Sequence, residues 1–86
     1  DSEQPYFVDT YAWALIKSGL PEVAEPLLEK VTKVAPSVAI FHYHRGVGLN
    51  LLGRKDDAKQ SLLRARDLAS SDTWLQTQIS VTLSDF

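Results

Sequence analysis

The chain has 86 residues, 44% of them apolar, and its nine bases and eleven acids leave a net charge of −2. That length holds one small domain, and the apolar content separates it from disordered chains. The near-neutral charge argues for no nucleic-acid or anionic-membrane partner, and the lack of cysteine excludes disulfides, thiolate metal sites and a cysteine nucleophile.

Residues 1–4, Asp-Ser-Glu-Gln, read as linker. A first helix is predicted from about Tyr6 to Ser18, ended by Gly19 in the left-handed conformation that suits a residue just past a helix. Pro21 opens the second, since the first turn has no partner for its N–H. Val23, Ala24, Leu27, Leu28, Val31 and Val34 then recur at spacings of three and four, one apolar face. Pro26 lies inside this helix and removes one early bond, and Pro36 closes the unit. A third helix spans about Val38 to Leu52, a turn follows at Gly53, and a fourth spans about Lys55 to Ala69. Asp56 and Asp57 fall in its first turn, where the helix dipole favours anions, and read as helix-start chemistry rather than a metal pair. The last segment carries Trp74, Leu75, Ile79 and Leu83 in a helical stripe that Asp72 or Thr73 can cap. No apolar run approaches the ~18 residues that span a bilayer. The absence of methionine predicts a processed product or a piece of a longer protein.

The chain repeats itself. A shift of 34 residues sets Phe7 on Phe41, Leu15 on Leu49, Gly19 on Gly53, Ala24 on Ala58, Leu28 on Leu62 and Ala35 on Ala69. Small residues match small ones, as Ala12 matches Gly46. The last segment continues the register, with Leu75 at the place of Phe7 and Phe41. The expected architecture is therefore all-α: a single domain over 5–86, with repeats at 5–38 and 39–72 and a capping helix at 73–86. Each hairpin buries its face only against a stacked neighbour, and Tyr6 and Phe7 are expected to pack on an earlier repeat in any longer parent.

A 34-residue helix–turn–helix unit with these landmarks resembles the tetratricopeptide (TPR) repeat family. The family pattern calls for a small residue midway along the first helix (Ala12, Gly46) and a large apolar one a turn later (Leu15, Leu49). Glycine follows at the turn (Gly19, Gly53), then alanine early in the second helix (Ala24, Ala58). Bulky and small residues come next (Leu28 with Val31, Leu62 with Ala65), and the closing Pro36 is replaced by Ser70 in the second unit. The resemblance covers about residues 5–72. The phrases "DTYAWALIKSG" and "YHRGVGLNLLGRKDDAKQSLLRA" are similar to the C-terminal repeats of bacterial TPR lipoproteins of the PEP-CTERM and exopolysaccharide type.

The resemblance implies an α-α superhelix whose first helices line a concave groove, and a non-catalytic scaffold that holds a peptide or protein there. The implied groove positions are Tyr6, Asp9, Trp13 and Ile16 or Lys17, then Ile40, Tyr43, His44, Val47 and Asn50, then Trp74, Thr77, Gln78 and Val81. For Trp13 and Tyr43, packing between helices as core is the competing reading. The groove of family members that clamp a terminal carboxylate is not expected, because Asp9 and Trp13 stand where that clamp has Lys and Asn. The alternative role is a structural C-terminal cap of a longer solenoid, working through assembly or self-association. Cytoplasm and bacterial envelope are both left open.

Other chemistry is weakly represented. His42 and His44 point about 200° apart on a helix, with glycines four residues on, so no metal site is expected. His42 is expected between helices and His44 in the groove. Arg45 has Tyr11 and Ile79 as repeat equivalents; snorkelling, an ion pair and ligand contact are its three options. Arg54, Lys55, Lys59, Arg64 and Arg66 are expected on an outward, solvated face. No catalytic triad, phosphate loop or facing carboxylate pair is legible, so neither an enzyme, a cofactor nor a nucleic-acid partner is expected.

Overall fold

The computed structural model describes residues 4–86 and consists of five α-helices: α1 Gln4–Lys17, α2 Pro21–Val34, α3 Ala39–Leu51, α4 Lys55–Leu68 and α5 Thr73–Leu83. No strand occurs among the described residues. Of the expected linker at 1–4, residues 1–3 lie outside the described residues, and Gln4 already belongs to α1. That helix starts two residues earlier than predicted because Pro5 sits in its first turn, where proline is tolerated.

The two interhelix turns share one construction. Gly19 and Gly53 have φ of 84° and 80°. Gly19 N–H reaches Ile16 O and Leu20 N–H reaches Leu15 O; Gly53 N–H reaches Asn50 O and Arg54 N–H reaches Leu49 O. These paired bonds satisfy carbonyls at the end of the first helix of each hairpin. Pro26 lies within α2 without ending it, and its side is exposed. Asp72 caps α5 by accepting from Leu75 N–H at 3.0 Å.

Hairpin one (α1–α2) packs through Ala12, Ile16, Ala24 and Leu28. Hairpin two (α3–α4) shares a core with α5, built from Tyr43, Leu62, Ala65, Ala69, Leu75 and Ile79. Trp13 and Val47 pack against both clusters and join them. The small residues act as the repeat predicts. A β-carbon placed on Gly46 would stand 2.6 Å from Leu62 Cγ, so only glycine lets α3 lie this close to α4. Ala12, Ala24, Ala58 and Ala65 are fully buried.

Packing follows chain order. Each helix touches the next, α1 also touches α3, and α3 touches α5. The first helices thus line up on one side of a helical-repeat arrangement. No helix is long and apolar enough to cross a membrane among the described residues.

Candidate functional site

The side lined by α1, α3 and α5 divides into a closed centre and an open end. The centre is an inter-helix stack. His44 Nδ1 stands 2.8 and 2.9 Å from the two carboxylate oxygens of Asp9. A carboxylate accepts only, so Nδ1–H donates. The Trp13 ring stacks on the imidazole at 4.1 Å and 17°. Tyr43 tilts against both rings, at 5.9 Å from Trp13 and 5.7 Å from His44. Lys17 Nζ lies 5.3 Å from the Trp13 ring centroid, a cation–π distance.

Asp9 and His44 are both buried, and so is Tyr43. The pair therefore ties α1 to α3 through groups that water hardly reaches. Such an interaction is worth more than a surface pair and costs more to leave half made. No fully buried side-chain nitrogen or oxygen among the described residues lacks a partner. Among the described residues His44 Nε2 has no hydrogen-bond partner, so that nitrogen is not fully buried.

The open end lies at the start of the same helices. A cleft of about 330 Å³ is lined by Tyr6, Val38, Ala39, Ile40, Leu68, Ala69, Ser71, Asp72 and Leu75. Tyr6 is exposed and sets its ring edge-on to Phe41 at 5.0 Å. Trp74, between the lining residues Asp72 and Leu75, is 60% exposed. Tyr6, Ile40 and Trp74 are repeat equivalents at 34-residue steps, so the fold lays them out as a row.

The structure thus brings Asp9, Trp13, Lys17, Tyr43 and His44 into one contact chain and places Tyr6 and Ile40 in the cleft. Val47 is part of the joint between the two cores. Asn50 is at the far end of α3, where its Oδ1 accepts from Lys55 Nζ. Ile16 is buried, Gln78 is half-buried, and Thr77 and Val81 are exposed. Tyr43 is core: its ring belongs to the cluster of Leu62, Ala65 and Leu75. Asp9, expected along the groove, is instead consumed by His44.

Arg45 is an ion-pair residue. Its Nη2 lies 2.9 Å from Glu25 Oε2 and its Nε 3.2 Å from both Glu25 oxygens, with Glu29 at 3.9 Å. His42 is half-buried and its Nε2–H donates to Pro36 O at 2.8 Å. Burial holds its imidazole below the usual range; the Pro36 bond opposes this, while Arg64 and Arg45 add repulsion in the same direction as burial. Arg54, Lys55, Lys59, Arg64 and Arg66 are all exposed, and Arg54 pairs with Asp57 at 2.9 Å.

The Asp9–His44 bond escaped sequence reasoning, although a signal exists. The two residues are 35 apart, one more than the repeat, which sets them one step apart on neighbouring first helices. The Glu25 partner of Arg45 had no comparable signal. Comparison with family models, with curated proteins and with solved structures gave no match for the chain.

Proposed function

We propose that the chain is a TPR-type module, an α-α superhelical repeat with no catalytic role, that docks a peptide segment of a protein partner on the side lined by α1, α3 and α5. The observation that carries this reading is the open end of that side. Tyr6 and Trp74 stand exposed at equivalent repeat positions, and Tyr6 with Ile40 lines a cleft of about 330 Å³. Exposed aromatic rings beside an apolar cleft suit a partner that inserts an apolar or aromatic side chain. The closed centre supports the reading from beneath. Asp9, Trp13 and His44 lock α1 to α3 and hold the row in place, which lowers the ordering cost of binding.

The test uses a random twelve-residue peptide library panned on the immobilised chain. Selected peptides are then measured against Tyr6→Ala and Trp74→Ala. Each variant is expected to weaken binding by roughly 10- to 100-fold, with the thermal midpoint moved by no more than about 3 °C. Peptides that bind the double variant as well as the parent chain would remove the cleft from the reading.

A further inference from the structure

The repeat makes each hairpin a reference for its neighbour. Phe7, Phe41 and Leu75 occupy one place in the register. Phe41 is 0% exposed where hairpin one packs onto α3, and Leu75 is 3% exposed where hairpin two packs onto α5. Phe7 is 70% exposed. The next place tells the same story: Arg45 is held by Glu25 of α2, Ile79 is fully buried in the α4–α5 core, and Tyr11 is 59% exposed. Behind them, His42 is covered by the turn leaving α2 through its bond to Pro36. Its equivalent Val8 lines an open hollow of about 220 Å³ with Pro5, Lys30, Val31 and Val34.

We propose that this face of α1 and α2 is the seat of another helical hairpin, one repeat step before hairpin one, as hairpin one sits before hairpin two. The proposal is independent of the peptide cleft, which is lined by none of these residues of hairpin one. The occupant's chemistry follows from the two interfaces already present. The second helix that meets Arg45 presents the acids Glu25 and Glu29. The second helix that meets Ile79 has Lys59 and Leu63 at those places, with Leu63 half-buried and Lys59 exposed. Tyr11 carries no charge, so its occupant resembles α4: an apolar stripe without an acid at the Glu25 place. In a second copy the apolar stripe of α4 is already covered by α5 and that of α2 by α3, and α5 shows solvent Thr73, Thr77, Ser80 and Ser84 along one face, with Trp74 and Val81 exposed on another.

The test extends the chain with a copy of residues 39–72 joined directly before Pro5, which keeps the 34-residue register. Docking is expected to raise the thermal midpoint by roughly 5–10 °C over the parent. Phe7→Glu with Tyr11→Glu should abolish that rise while moving the parent's own midpoint by no more than about 3 °C. Because the chain lacks cysteine, Tyr11→Cys supplies a second readout, and its thiol labelling should slow at least about tenfold in the extended chain as the site closes. An unchanged midpoint with unchanged labelling, or an added hairpin that stays unfolded, overturns the proposal. So does a parent chain that dimerises in sedimentation and becomes monomeric with the two glutamates, since the occupant would then be a second copy.

Discussion

Hairpin one and hairpin two turn on glycines at nearly the same φ and close their helices with the same pair of backbone bonds. They differ in what lies beside them. Hairpin two has hairpin one on one side and α5 on the other; among the described residues hairpin one has a neighbour on one side only. As a result Phe41 is lost from solvent while Phe7, its repeat equivalent, remains on the surface. Burial here is a property of the interface between units more than of the unit, because a two-helix hairpin presents apolar side chains on two faces and covers only one of them itself.

Paired substitutions give the sharpest break of this comparison. Phe41→Ala is expected to destabilise by about 4 kcal/mol, the usual range for a buried Phe. Phe7→Ala should stay within about 0.5 kcal/mol, as a surface change does. Urea titration of both variants decides it, and equal losses would mean that α1 is covered in solution. A smaller effect is expected across the joint between hairpins. Asp9→Ala leaves the buried His44 Nδ1–H without an acceptor and should cost about 1–3 kcal/mol, while Asp9→Asn, which keeps an acceptor, costs less. Near-UV circular dichroism of the Trp13 stack should weaken with the alanine variant.

The smallest effect is a slope with pH. The folded state depresses the His42 imidazole, chiefly by burial. It therefore binds a proton less readily than the unfolded chain does. Stability from this group is complete above the unfolded value of about 6.5 and is lost as pH falls through the lower folded value. His42→Gln should flatten the stability curve below about pH 6.5 relative to the parent. A parallel curve for the variant would assign the slope to the carboxylates instead.

Much of this fold was legible because a helical repeat states its rules twice. The glycines at 19 and 53, Pro21 after the first turn, and the small residues at 12, 24, 46 and 58 each predict a local event that the structure contains. Helix ends moved by one or two residues where proline or a cap allowed it, as at Gln4. The site was less legible. Repeat position tells which helix face a residue occupies but not whether a neighbour from the next helix reaches across to it. Asp9 and Tyr43 share one repeat place. One ends in a hydrogen bond with His44 and the other in the core of α4 and α5, because the side chains opposite them differ. Arg45 shows the same limit: its place in the register said what it must overcome, and only the fold supplied Glu25.

Among the described residues, α1 makes no contact set with α4 or α5, and α2 makes none with either. Every interface can thus form without waiting for distant segments of chain to meet, which is the topology of fast folders. It also makes the molecule a line rather than a ball under load. Pulled from its two ends, it should come apart one interface at a time, with the sparsely seated α5 peeling first and the glycine-bridged approach of α3 to α4 holding longest.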